Sequence, residues 1–232
     1  MKNQIKIITL TASILLLFSC APSRFVKPLE KGESALGFNL GGPLIHFAGK
    51  TIPVPLSSVT YGKGMNNNST LFAGIHTTSL LFGTFQGEIG YLKNIYTNKS
   101  SKLFIPSISA NAVINAAIDK WEWNFKFWPQ IDVNAYWSYG KKRNFFYLGC
   151  SNWFELSSKR AHQEKQQHHW IFNPQIGHTF SGSKWDYSIE AKYLAPNVSN
   201  QNIVADYAKP LGNKGVLGIY VSVAKKIGGI SK

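Results

Sequence analysis

Residues 130–139 read Gln-Ile-Asp-Val-Asn-Ala-Tyr-Trp-Ser-Tyr. Ile131, Val133, Ala135, Trp137 and Tyr139 alternate with Gln130, Asp132, Asn134, Tyr136 and Ser138. A period of two sends successive side chains to opposite faces of a strand, whereas helical spacing would mix the two sets. Residues 185–193 obey the same rule, with Trp185, Tyr187, Ile189, Ala191 and Tyr193 against Asp186, Ser188, Glu190 and Lys192. The tetrapeptide Ser181-Gly182-Ser183-Lys184 reads as a tight turn that joins this strand to one over 170–180, making a hairpin.

Working outward, Phe85, Ile89 and Tyr91 oppose Gln86 and Glu88, and Ile108, Ala110, Ala112 and Ile114 oppose Ser107, Ser109 and Asn111. Segments 34–41, 56–63, 70–79, 144–154 and 215–225 complete a set of about ten strands, within a range of roughly 8 to 12. No segment of 12 residues or more carries an amphipathic helical pattern. The fold class read from this pattern is all-β, an antiparallel up-and-down β-barrel. A soluble lipocalin-like barrel or a β-sandwich is the alternative, because sandwiches also alternate.

The N-terminus bears on compartment. Lys2 and Lys6 precede an apolar run over 7–18, too short to cross a bilayer that needs roughly 20 apolar residues. Residues 1–19 are therefore read as a signal peptide. The run ends Leu17-Phe18-Ser19-Cys20, which resembles the lipobox of bacterial lipoproteins. That resemblance implies lipid attachment at Cys20, and Ala21 in the following position implies sorting to the outer membrane, anchored in its periplasmic leaflet. Residues 20–33 are polar, contain Pro22 and Pro28 and lack a period, so they read as a tether. Residues 34–232 are then one barrel domain.

Cys20 and Cys150 are the two cysteines, so with the first carrying lipid no intrachain disulfide is expected. The formal net charge of +14 favours anionic partners, with lipopolysaccharide and outer-membrane lipids as the natural counterparts. Lys and Arg are spread through the turns, and the implied compartment excludes a nucleic-acid role.

Three features favour a membrane-embedded barrel over a soluble one. The clearest strands are about 9 to 11 residues long, as tilted spanning strands must be. Trp and Tyr gather near strand ends, among them Trp121, Trp123, Trp128, Trp153, Trp170 and Trp185. Connections alternate between short (140–144, 181–184) and long (155–168, 194–213), as periplasmic turns and outer loops do. In this pattern the chain resembles the small outer-membrane β-barrel proteins over nearly all of its mature length.

Chemistry is sparser. Glu88, Asp132, Glu190 and Lys192 lie on the polar face of their strands, which in a small barrel points inward; they are read as a polar network in the lumen. His162, His168 and His169 match no metal-ligand spacing. Barrel enzymes that trim lipid A use a His, a Ser and an acid, for which His76 with Ser79, or His178 with Ser181 and Glu190, are the candidates. Strict alternation separates His178 from Glu190, and places His76 and Ser79 on opposite faces. No catalytic residue, metal or cofactor is therefore assigned; phosphate loops and nucleotide fingerprints are lacking. The expected role is a non-enzymatic structural or accessory envelope protein, with envelope protein partners left open. A lipid A or phospholipid-modifying enzyme and a periplasmic carrier of an apolar ligand are the alternatives.

The lipobox reading makes a direct demand. Cys20→Ser is expected to abolish incorporation of labelled palmitate; label retained on that variant overturns the assignment.

Overall fold

The computed structural model describes residues 21–98, 105–140, 144–158, 165–200, 206–210 and 212–228. The signal segment, Cys20 and His162 lie outside them. The elements in chain order are β1 (Ser34–Phe47), β2 (Lys50–Pro53), β3 (Leu56–Asn66), β4 (Ser69–His76), α1 (Thr77–Leu81), β5 (Thr84–Tyr96) and β6 (Ser107–Asp119). They continue with β7 (Phe125–Tyr139), β8 (Asn144–Phe154), β9 (Trp170–Ser181), β10 (Trp185–Ser199) and β11 (Lys214–Ile227).

Each barrel strand pairs antiparallel with its neighbours in the order β11-β10-β9-β8-β7-β6-β5-β4-β3-β1. β1 then pairs with β11 from Ser34↔Ile227 to Pro43↔Gly218, which closes the sheet into a ten-stranded barrel. β2 is an eleventh strand outside that circle, paired with the far end of β1 from Leu44↔Pro53 to Phe47↔Lys50. Closure pairs both edges of each of the ten barrel strands, so the wall itself leaves no row of backbone donors and acceptors over.

The connections segregate by end. At one end, here the lower, lie the turns 67–68, 140–143 and 182–184, the 97–106 connection, and both described termini of the barrel. At the upper end lie the β1–β2 hairpin, α1, and the connections 120–124, 155–169 and 200–213. Several strands run further than their alternation indicates. β7 starts at Phe125, and β10 continues to Ser199 through a register shift after Leu194. The strand expected over 70–79 instead stops at His76, where α1 begins; the Ser57 hydroxyl and backbone N–H hold Thr77 and Thr78 and turn the chain.

The two faces are distinct in chemistry. Ile131, Val133, Tyr187, Ile189 and Val221 are exposed on the outside, whereas Asp132, Asn134, Ser151, Asn173 and Gln175 are buried inside. This is the alternation of 130–139 and 185–193 carried around the cylinder. Two tryptophans depart from the belt reading: Trp128 and Trp153 turn inward and are buried. Trp153 packs with Leu194, Tyr207, Val216 and Tyr220 into an apolar cluster at the upper end of the lumen.

The largest difference from the sequence reading is the segment 21–33. It is not a tether outside the barrel: it runs up the lumen from the lower rim. Val26 and Leu29 are buried, Val26 among Tyr136, Phe145 and Tyr147, and the Phe25 ring lies 5.8 Å from that of Phe72. Room for it comes from inward-facing glycines. A Cβ on Gly62 would lie 2.6 Å from the Phe25 ring, and one on Gly64 would lie 2.0 Å from the Glu30 carbonyl oxygen. Any side chain at 64 must therefore displace the segment, since the clash is with backbone. In full-length, unacylated protein refolded in detergent, Gly64→Leu is expected to leave a heat-modifiable barrel whose Arg24–Phe25 bond trypsin cuts, while the parent protein is protected there. Equal protection in both would show that the segment tolerates the change in place.

Candidate functional site

The lumen is built from even-numbered positions on β3, β4, β5, β7, β10 and β11 and odd-numbered ones on β1, β6, β8 and β9, as the pleat requires. Glu88 (side chain 4% exposed), Asp132 (4%), Glu190 (2%) and Lys192 (1%) all face it. They do not form one cluster. The structure divides them among three sets of partners, and two of those sets are completed by the 21–33 segment.

The first is an arginine socket. The Arg24 guanidinium grips the Glu88 carboxylate through Nε to Oε1 and through Nη2 to Oε2, the latter at 2.8 Å. A bidentate fork on a carboxylate is the strongest common side-chain pairing, and here both partners are shielded from solvent. His76 Nε2 stands 3.3 Å from Arg24 Nη2 and 3.5 Å from Glu88 Oε2, and Arg24 Nη1 donates to the Pro22 carbonyl at 2.9 Å.

The second set surrounds Glu190. Its carboxylate accepts the Ser23 N–H at 3.2 Å and the Tyr147 hydroxyl at 2.7 Å, with Lys192 Nζ at 3.5 Å. Lys192 also donates to the Ala21 carbonyl at 3.0 Å. The third set holds Asp132 without the segment: its Oδ1 accepts from the Ser151 hydroxyl at 2.6 Å and Gln130 Nε2 at 2.9 Å.

Neutral side chains hold the remaining backbone of the segment. Asn111 Nδ2 donates to the Phe25 carbonyl at 3.0 Å and the Ser109 hydroxyl to that of Val26 at 2.6 Å. Thr70 Oγ1 accepts from Leu29 N–H at 2.8 Å and Asn67 Oδ1 from Lys31 N–H at 3.2 Å. Gln175 Nε2 donates to Ser23 Oγ at 2.8 Å. Only at its base does the segment meet strand backbone, where the Gly32 N–H donates to the Gly64 carbonyl and the Gly64 N–H to that of Glu33; above that its peptide groups rely on side chains, and Pro22 and Pro28 reduce the number of donors to be placed. Beside it a cavity of about 120 Å³ runs between the segment and the wall, lined by polar side chains such as Asn39, Thr179 and Asp186 and by apolar ones such as Val26, Phe145 and Val223.

The catalytic candidates fall apart in space. The Ser79 hydroxyl, on α1, donates to Gln86 Oε1 at 3.0 Å, while His76 faces Arg24 and Glu88. His178 points outward, 2.6 Å from the Tyr139 hydroxyl, and Glu190 points inward. Among the described residues no three His, Cys, Asp or Glu side chains are grouped to hold a metal; His169 contacts the Glu155 carbonyl. At the upper rim, burial pushes the Glu155 carboxyl up, but Lys126 and the Ser157 N–H outweigh it and hold it below the usual carboxylate range.

The alternation did not reveal the segment as a lumenal element, nor the roles of His76, Tyr147, Ser109 and Gln175 in receiving it. One signal was present: Phe25, Val26 and Leu29 put three apolar side chains, next to Arg24, in a stretch too short and too polar for a strand.

No protein-family model matches the sequence, and no curated protein matches it significantly. Solved structures that the chain matches include three from bacteria. OprG of Pseudomonas aeruginosa, an outer membrane protein, is 10% identical over 88% of this chain and 100% of its own, with a TM-score of 0.30. The translocator domain of the autotransporter NalP of Neisseria meningitidis is 9% identical over 97% and 95%, with a TM-score of 0.39. Ail of Yersinia pestis, the attachment invasion locus protein, is 9% identical over 85% and 99%, with a TM-score of 0.29. Likeness at this level concerns shape alone; the barrel itself is established by its own strand pairing.

The Arg24–Glu88 pair sets a measurable quantity. Arg24→Ala leaves a carboxylate facing the lumen without its cation and is expected to cost on the order of 3 kcal/mol in urea unfolding of the refolded barrel. Arg24→Ala combined with Glu88→Gln should cost less than the two single changes added together. Additive losses would mean that the two side chains are not coupled.

Proposed function

We propose that the chain is an outer-membrane lipoprotein, embedded as a β-barrel and anchored through lipid on Cys20, that serves a structural or accessory role in the envelope. The observation that carries this reading is the inverted polarity of the barrel, with an apolar exterior all round and an interior of Asn, Ser, Thr, Gln and paired charges. In water such an exterior has no counterpart, whereas a bilayer supplies one. The lower end, with its shorter turns and both described barrel termini, then faces the periplasm.

With residues 21–33 seated, the lumen is occupied and the barrel is closed. A ten-stranded barrel is only slightly wider than the eight-stranded kind that side chains fill, and here the extra width holds the 21–33 segment. A carrier of apolar ligands calls for an apolar cavity, whereas the wall here is mainly Asn, Ser, Thr, Gln and charged side chains, with apolar residues gathered in packed clusters. An enzymatic role has no assembled His, Ser and acid to support it among the described residues. Anionic headgroups, lipopolysaccharide included, are the partners that the basic charge fits.

Fractionation tests the reading: the protein should leave envelopes only with detergent and should show heat-modifiable gel mobility. Ile189, half exposed on the outer face of β10, supplies the sharper measurement. Ile189→Arg is expected to cost roughly 2 to 4 kcal/mol if that face meets lipid near the bilayer midplane. Unchanged stability and membrane recovery would instead mean that the face meets water.

A further inference from the structure

The first described residue is deep inside the protein. The Ala21 carbonyl is bonded to Lys192, whose side chain is almost completely buried. Cys20 is one peptide link away, about 3.8 Å between Cα atoms. With residues 21–24 seated, any group attached to the Cys20 sulfur therefore starts out within the lumen.

Acyl chains starting there have no lateral route to hydrocarbon. The wall is hydrogen-bonded around its whole circumference, including the β1–β11 seam, so no lateral passage exists between strands. Above, Trp153, Leu194, Tyr207, Val216 and Tyr220 pack across the lumen on the β8–β11 side. The surroundings of Ala21 and Ser23 are Lys192, Glu190 and Gln175, a medium in which methylene groups gain none of the stabilisation that a bilayer gives them.

The segment, by contrast, is made to leave. The residues 21–33 belong to no strand of the barrel and hang from β1 at the lower rim. Gly32 has φ +79, and a Cβ built there would meet nothing within 4 Å. Fully extended, those 13 residues span about 43 Å, enough to carry Cys20 out of the lower end and into the adjacent leaflet. The wall meets the segment through the peptide groups of Ser23, Phe25, Val26, Leu29 and Lys31, through the packed side chains of Phe25, Val26 and Leu29, and through the fork of Arg24 on Glu88. Such contacts can be exchanged for water or for another extended chain without unfolding the barrel.

We propose that the lumen is a binding groove for an extended, arginine-bearing peptide, which residues 21–33 occupy while Cys20 is unmodified and vacate when Cys20 carries acyl chains. The alternation rests on the lipid-anchor reading above. Lipid attachment then acts as the switch: the anchored form exposes a polar groove with the Glu88 socket open to the lower end.

The test uses a cysteine pair, Ser23→Cys with Gln175→Cys, whose parent side chains are in hydrogen-bond contact at 2.8 Å, in a Cys150→Ser background, with only the 23–175 linkage, identified by peptide mass, counted as cross-linking so that the free Cys20 thiol of the unacylated chain does not contribute. A short thiol-to-thiol reagent is applied to the full chain refolded in detergent, which is unacylated, and to the same protein extracted from bacterial membranes. Mass spectrometry reads the acyl groups on Cys20, and heat-modifiable mobility confirms the barrel in both. Cross-linking is expected to be about tenfold lower in the acylated protein. Equal cross-linking in protein whose Cys20 is acylated overturns the alternation alone. A membrane-derived chain without acyl mass on Cys20 overturns the lipid-anchor reading and the alternation with it. Finally, a synthetic peptide of residues 21–33 should bind the acylated barrel, and the same peptide with Arg24→Ala about tenfold more weakly; no binding by either overturns the groove.

Discussion

The pairing of β1 with β11 is the contact on which the other features depend. Because Ser34 to Pro43 finds Gly218 to Ile227, the sheet has no edge, and an inside is defined that is separate from the outside. Ten strands make that inside wider than wall side chains alone can fill. The chain fills it with its own N-terminal segment, whose peptide groups, lacking a strand neighbour above the base, must be met there by side chains. This accounts for the composition of the inner wall. Asn, Gln, Ser and Thr can serve both N–H and C=O groups without bringing in a net charge that would itself need a partner.

Where the wall does carry charge, it is accompanied. Glu88 has Arg24 and His76, Glu190 has Lys192, Tyr147 and the Ser23 N–H, and Asp132 has Ser151 and Gln130. The distribution is uneven in a meaningful way. Asp132 is satisfied by the barrel alone, Glu190 by barrel and segment together, and Glu88 takes its fork from the segment. The segment is thus a structural partner of part of the wall and not of all of it, so its departure leaves the Asp132 set intact while opening the Glu88 socket.

The upper rim follows a different logic. The Asp119 carboxylate accepts the N–H groups of Trp121, Glu122 and Asn124, at 2.9, 2.7 and 3.0 Å, and draws the 120–124 connection into a tight turn. Trp123 takes a positive φ within it, and both Trp121 and Trp123 stand exposed, with Lys120 over the Trp121 ring. Exposed indole rings beside a basic side chain at the end of an apolar belt suit the boundary between hydrocarbon and headgroups. Trp128, only a few residues further on, belongs to the lumen, because one step along a strand reverses the face.

What the sequence determined by itself is the alternation. In 130–139 and 185–193 each side chain's face is fixed by parity, so the strands, their approximate number, the antiparallel hairpins and the placement of Glu88, Asp132, Glu190 and Lys192 on the polar faces can be read from local pattern. Strand ends were legible only approximately, since the pattern fades where β7 and β10 approach the rims and where α1 turns the chain after His76. Only the tertiary structure decided which face of the cylinder is inside, how those four residues divide among partners, and where residues 21–33 go. The physical reason is that nothing local orders that segment. It has no period and two prolines, and it acquires its conformation from hydrogen bonds to residues more than 35 positions away in sequence, such as Lys31 with Asn67 and Ser23 with Glu190. Those partners are brought around it only when β1 meets β11.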